Sequence, residues 1–408
     1  GALQSLFHPL ALGHLDHTIT INAPLALAVN FGAPLPDGVV GRIYGVTPVK
    51  YTASAGLGGY SFSTPASVPA PAAAFPQNIV CTPAGPDFNC AAPVITAADG
   101  TYTDIPVTAD DTANTTTPSA SASGTTATAT RTLTIRPGLA ITTSDLEDGV
   151  ELRAYTKVVR AIGGTLAAGQ LLDPAGCLAA GLPLNLTSVR NPNPFVPGAD
   201  PANTTCLISP DVAAGTAVVN QPVTVTMVDT PILDVATGAT VTPAATVGTD
   251  PNSTKGFFLT IHPELEITTP APPEAGVERR SYTKIVRVAG GAIAGGGTLA
   301  ADPDGCQETT APPVFPTLGA TIVRNPLDAT TCKVSAAAVT DGTAGSYPIQ
   351  ITVRDIPFMD TDWPAVEVTP AGALPGDTTL TIRPDLMITT SDLEDGVERR
   401  AYTKVVRA

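Results

Sequence analysis

The chain of 408 residues is short of the side chains that do chemistry and of those that carry charge. It has four histidines, one tryptophan and three methionines, and only 14% of its residues are charged, against roughly 25% in an average soluble domain. So few histidines, with no recurring Ser/His/Asp arrangement, give triad catalysis no footing. No CxxC pair occurs, which removes zinc ribbons and haem attachment. Cations are scarce too: 21 Lys and Arg against 36 Asp and Glu leave a net charge of −15. A nucleic-acid partner needs clustered cations facing its phosphates, and an anionic membrane surface is an equally poor match. No apolar run reaches the eighteen or more residues of a membrane-spanning helix. The opening GALQSLFHPL carries no secretion signal and reads as a mature or internal start.

Thr, Ala, 41 Pro and 37 Gly fill the gap, a composition that favours strands and turns over helices. A weakly charged, Thr-rich surface is unusual for a free monomer. It fits burial in an assembly or a coat of glycans; a quirk of lineage composition is the alternative.

The largest positive signal is repetition. Residues 132–161, TLTIRPGLAITTSDLEDGVELRAYTKVVRA, return at 379–408 with three substitutions, and a looser copy starts at Phe258. A chain that repeats one unit is built to extend, space or polymerise, whereas a catalyst needs one asymmetric pocket. Tyr44, Tyr155, Tyr282 and Tyr402 mark the register, each closing a segment of the form LPDGVVGRIY, LEDGVELRAY, PEAGVERRSY or LEDGVERRAY. Gly38, Gly149, Gly276 and Gly396 stand where a tight turn with positive φ is expected. The alternation after each turn, as in Arg153 to Val159, predicts a strand. Further alternating runs end on Asp110, Asp229 and Asp355. A Thr/Pro/Gly-rich excursion and a last strand follow, closed by Pro137, Pro263 and Pro384. Those prolines predict short, stiff joints between units.

These elements resemble the He-PIG type of immunoglobulin-like repeat found in prokaryotic surface proteins, related in build to cadherin-like repeats. Leu35 to Tyr44 carries its opening element, Gly163-Gly164 and Gly290-Gly291 its double glycine, Gly345 to Asp355 its penultimate strand and Thr132 to Pro137 its last strand. The middle of each unit departs from the pattern, with cysteines and long insertions. The resemblance implies an all-β fold of tandem immunoglobulin-like β-sandwiches. In this register, 24–136, 137–262 and 263–383 are three repeats, 1–23 is the last strand of a preceding repeat or an N-terminal extension, and 384–408 holds the opening strands of a further one. The end pieces are either a window on a longer array or strands donated to a neighbouring subunit.

Cys81 and Cys90, Cys177 and Cys206, and Cys306 and Cys332 fall one pair to a repeat. This suits one disulfide per domain and an oxidising compartment, although the count leaves other pairings open. Asp110, Asp148, Asp229 and Asp355 gather near the predicted domain ends and are candidates for calcium, which takes six to eight oxygens; turn aspartates capping the backbone are the simpler reading. His8, His14 and His17 form a loose cluster without reinforcing metal-ligand spacing. Asn114, Asn185, Asn203 and Asn252 begin sequons in loop-like insertions, acceptors for glycans where the transferase is present and plain loops where it is not. The basic residues Arg153, Lys157 and Arg160, with their counterparts Arg280, Lys284 and Arg287, predict a solvated strand face; the sharper alternative is a cationic stripe that meets acidic turns of another chain.

The expectation for function is a secreted, non-enzymatic structural protein without a cofactor, at the surface of or outside a prokaryotic cell. It would form or decorate a filament, sheath or surface layer, pairing with copies of itself as a homopolymer. The competing class is the stalk of an adhesin or carbohydrate-binding protein.

Overall fold

The computed structural model describes residues 23–56, 58–65, 74–76, 78–111, 126–194, 201–234, 237–245, 250, 253–269, 273–387 and 403–406. The chain divides into two compact units, 1–138 with 231–244, and 139–230 with 245–408. His8, His14, His17, Asn114, Asn252, Gly396 and Tyr402, named above, lie outside the described residues.

The first unit holds one β-sandwich. Strands Ala26–Val29, Tyr44–Ser54, Asp87–Ala92 and Val80–Ala84 form one sheet in that order; Gly38–Val39, Thr126–Arg136, Gly100–Asp111 and Tyr60–Ser63 form the other. Inward side chains alternate along the long strands, and Val49, Tyr51, Ile105, Val107, Leu133 and Ile135 close the core between the sheets.

The second unit holds two cores built the same way. In residues 139–262 the sheet Gly149–Val150, Thr254–His262, Val218–Asp229, Leu172–Ala180 faces the sheet Lys157–Val159, Cys206–Ser209, Thr187–Arg190. In residues 265–383 the sheet Gly276–Val277, Ala373–Arg383, Gly345–Arg354, Cys306–Glu308 faces Glu266–Ile267, Tyr282–Ala289, Thr331–Ala336, Thr321–Arg324. The fold is therefore all-β, in tandem immunoglobulin-like sandwiches with one disulfide each: Cys81–Cys90, Cys177–Cys206 and Cys306–Cys332. The last two join the facing sheets. The first ties two neighbours within one sheet, where Cys81 and Cys90 stand directly opposite.

The opening glycines differ from expectation. Gly38, Gly149 and Gly276 are absent from the positive-φ residues. Each begins a two-residue strand that pairs parallel with the last strand of its own sandwich, opposite Ile135, Ile261 and Ile382. A Cβ there would sit 2.7, 2.5 or 2.8 Å from the Cδ1 of that isoleucine, so close approach, rather than turn conformation, demands glycine. The tyrosine six positions later packs on the same spot and donates its hydroxyl to a carbonyl eight residues upstream: Tyr44 to Pro36, Tyr155 to Glu147, Tyr282 to Glu274. That bond satisfies a buried phenol and accounts for the tyrosine register. The double glycines do need positive φ: Gly163 and Gly164 lie at 78° and 56°, Gly290 and Gly291 at 75° and 52°. They turn the chain into the short helices Gly164–Ala168 and Gly291–Ala294.

The alternating segment after the turn is only partly a strand in residues 149–162. Tyr155 and Thr156 precede the strand Lys157–Val159, and all three residues of that strand are buried. The solvated basic face expected there is absent, because a hairpin from further along the chain covers it.

Candidate functional site

The hairpin grows from a pattern that occurs twice. Asp229-Thr-Pro231-Ile-Leu-Asp234 is followed by Val241-Thr-Pro-Ala, and Asp355-Ile-Pro357-Phe-Met-Asp360 by Val368-Thr-Pro-Ala. Each forms two short antiparallel strands, Ile232–Leu233 with Thr240–Thr242 and Phe358–Met359 with Glu367–Thr369. The first aspartate is the root. Asp229 accepts from the amides of Thr165 and Ala245, at 2.7 and 2.8 Å. Asp355 accepts from those of Ala292 and Gly372, at 2.8 and 2.7 Å. One carboxylate thus ties the start of the short helix to the end of the hairpin. The second aspartate folds the tip: Asp234 takes the amide of Thr237, and Asp360 those of Asp362 and Trp363.

Both hairpins make the same three contacts with an opening segment. The valine enters the core, Val241 in the cluster that holds Tyr44 in the first unit and Val368 in the cluster that holds Tyr155 in the second. The threonine donates to the carbonyl just before the opening glycine, Thr242 to Asp37 at 2.8 Å and Thr369 to Asp148 at 3.2 Å. The proline carbonyl accepts from the arginine four residues after that glycine, Pro243 from Arg42 at 3.2 Å and Pro370 from Arg153 at 3.4 Å.

In the second unit the contact also carries a buried charge cluster. Lys157, with a side chain 0% exposed, lies 2.8 Å from Glu147 Oε2 and 2.9 Å from Asp360 Oδ2. Thr361 donates its amide and hydroxyl to Glu147 Oε1, and Ser144 donates its hydroxyl and amide to Asp362. Burial pushes the Asp362 carboxyl up, but the Ser144 hydrogen bonds and the Lys157 and Lys255 charges outweigh it and hold the group below its ordinary value. Arg153 binds both oxygens of Asp355, at 2.9 and 3.0 Å. Gly372 leaves the room this needs, since a Cβ there would fall 2.1 Å from the guanidinium. Asp148 meets His262 Nε2 at 2.7 Å, beside the ring of Phe358. Arg160 lies over the ring of Trp363, 4.8 Å from its centroid. With the Glu147 and Asp360 carboxylates closest to one buried ammonium, and Asp362 3.9 Å from it, the arrangement is a lock that specifies one docked geometry.

Three of the four candidate calcium ligands are thus engaged with other partners. Asp229 and Asp355 are buried roots of hairpins, Asp148 pairs with His262, and Asp110 lies on the strand Gly100–Asp111 opposite Ser61 and Thr126. Among the described residues no group of three His, Cys, Asp or Glu is placed to hold a metal ion. Asn185 is exposed on a turn, whereas Asn203 is half-buried and donates its amide to the Asn191 carbonyl. Among the described residues no helix is long and apolar enough to cross a membrane.

The hairpin pattern was the signal that the register marks alone do not give. Two copies of Asp-x-Pro-apolar-apolar-Asp followed by Val-Thr-Pro-Ala could have marked it, but its docking partner stands more than two hundred residues away in sequence.

No family model and no curated protein matches this chain. Solved structures similar to it include a three-domain I-band fragment of titin, with 7% identity over 88% of this chain and 99% of the fragment, at a TM-score of 0.32. Sidekick-1 immunoglobulin domains 1 to 5 give 11% identity over 88% of this chain and 59% of theirs, at 0.33. The human desmocollin-1 ectodomain gives 12% over 88% and 62%, at 0.30. At overlaps this low, the fold assignment rests on the sheets themselves.

Proposed function

We propose that the chain is a non-catalytic scaffold of an extracellular or cell-surface protein, a stalk of immunoglobulin-like repeats at 24–136, 137–262 and 263–383. Residues 384–408 open a further repeat. The observation that carries this reading is the hairpin clamp: the same valine, threonine and proline contacts join a hairpin to an opening segment in two places. A binding or catalytic device has no use for repeating its internal joint, whereas a load-bearing spacer needs every joint alike. The disulfides suit an oxidising exterior. The He-PIG resemblance of the opening and closing strands supports a prokaryotic surface protein.

A second reading, the protomer of a filament or sheath, draws on the low charge and the repeated faces. Electron microscopy and light scattering of the purified chain separate the two. A stalk gives single particles at every concentration; ordered polymers that grow with concentration would overturn it in favour of the filament.

A further inference from the structure

Repeat 3 presents the opening segment that in the two earlier repeats is clamped. Ala275 precedes Gly276 as Asp37 precedes Gly38 and Asp148 precedes Gly149, so its carbonyl is in the position that receives the hairpin threonine. Arg280 stands four residues after the glycine, matching Arg42 and Arg153. Its side chain is 61% exposed and, among the described residues, pairs with Asp385 at 3.7 Å. Glu274 and Lys284 repeat the Glu147–Lys157 pair, but they stand 3.9 Å apart with the carboxylate 86% exposed. Among the described residues no hairpin lies on this surface.

We propose that the Glu274–Arg280–Lys284 face is a docking site for a β-hairpin of the Asp-x-Pro-apolar-apolar-Asp…Val-Thr-Pro-Ala type, supplied by the repeat that residues 384–408 open. The charge complementarity is specific. Lys284 is paired at a distance with one solvated carboxylate, and a tip aspartate placed as Asp360 is would complete the two-carboxylate lock seen at Lys157. The valine would pack beside Tyr282, which is 9% exposed where Tyr155 is fully buried. The near-copy of 132–161 at 379–408 shows that the array uses its clamped type of repeat more than once. This inference rests on the stalk reading, and extends it by naming the class of partner that lengthens the stalk.

The test is a fluorescein-labelled peptide with the sequence of residues 355–371, closed into a hairpin by an added terminal disulfide so that less ordering opposes binding. It is titrated with the intact chain and followed by anisotropy. Saturable binding below about 1 mM is expected, weakened roughly tenfold by Lys284→Ala or Arg280→Ala in the chain. The same loss is expected when Asp360→Asn is made in the peptide only, a change that leaves the folding of the chain untouched. Absence of saturation up to about 1 mM, or equal binding to the Lys284→Ala chain, overturns the proposal. Single particles in the microscope together with no peptide binding would leave the stalk standing and remove only this site.

Discussion

The opening segments of repeats 2 and 3 are nearly the same sequence in two different surroundings. Both read Glu-x-Gly-Val-Glu-x-Arg-x-Tyr-Thr-Lys, and both send the tyrosine hydroxyl to the carbonyl of the glutamate. In repeat 2 the lysine is wholly buried, 2.8 Å from its glutamate. In repeat 3 the matching lysine is 23% exposed and 3.9 Å from its partner. The backbone geometry belongs to the segment, while the burial belongs to the hairpin that lands on it. A charged side chain is thus an ordinary surface group or a buried lock according to what arrives from elsewhere in the chain.

The comparison is broken most directly by removing the two lysines in turn. Lys157→Ala leaves Glu147 and Asp360 buried without their cation, and we expect a loss of about 3–5 kcal/mol. Lys284→Ala removes a solvated pair and should cost no more than about 1 kcal/mol. Urea denaturation of both variants checks this; equal losses would mean that the clamp contributes nothing beyond its surface chemistry.

Val368→Ala separates packing from charge. The residue closes the core of repeat 2 from outside that repeat, so its truncation should cost about 2 kcal/mol. Hydrogen exchange should show the added opening in residues 139–262, with the amides of the strand Thr331–Ala336 unaffected. Faster exchange in that strand as well would show that the two cores open as one.

Alkaline titration sharpens the contrast with the smallest expected effect. Burial raises the Tyr155 phenol well above its ordinary value, with Glu147 and Asp148 adding to it. Burial and Glu274 raise Tyr282 as well, but it is less enclosed. Both groups have folded values above the unfolded one near 10. Their contribution is therefore complete below about pH 10 and fades as pH rises through the folded values. Tyrosinate absorbance should show Tyr282 ionising before Tyr155, identified by Tyr282→Phe and Tyr155→Phe. The reverse order would place the tighter enclosure at repeat 3.

A cavity of about 210 Å³ between the sheets of repeat 3, bordered by Ile267, Tyr282, Lys284, Gly376 and Thr378, shows how far the repeats diverge. At the positions of Gly376 and Thr378, repeat 2 has Lys255, whose ammonium donates to the Thr143 carbonyl, and the buried Phe257. Two smaller residues on one strand thus border the cavity where repeat 2 carries larger side chains.

Much of the fold was legible in the sequence, because its causes are local. Alternation along Gly345–Arg354 or Thr126–Arg136 places one face inward whatever the neighbours are, and the tyrosine register follows from a bond only eight residues long. The glycines at 38, 149 and 276 were recognisable as special, but the reason, an isoleucine pressed against each from the last strand, lies about a hundred residues away. The aspartates at 229 and 355 stood out as acidic domain ends; their work as hairpin roots was invisible, because the amides they cap are brought to them only by folding.

The sequence by itself determined the all-β character, the repetition and one cysteine pair's worth of thiols per repeat, since periodicity and turn residues act over short stretches of chain, while the pairing of those thiols was left to the fold. Only the tertiary structure decided that Lys157 is buried, that Val241 and Val368 complete cores beyond their own repeats, and that Lys284 stays partly exposed. Those outcomes depend on which segments meet in space, and a sequence of near-identical repeats holds the same local instructions at every one of them.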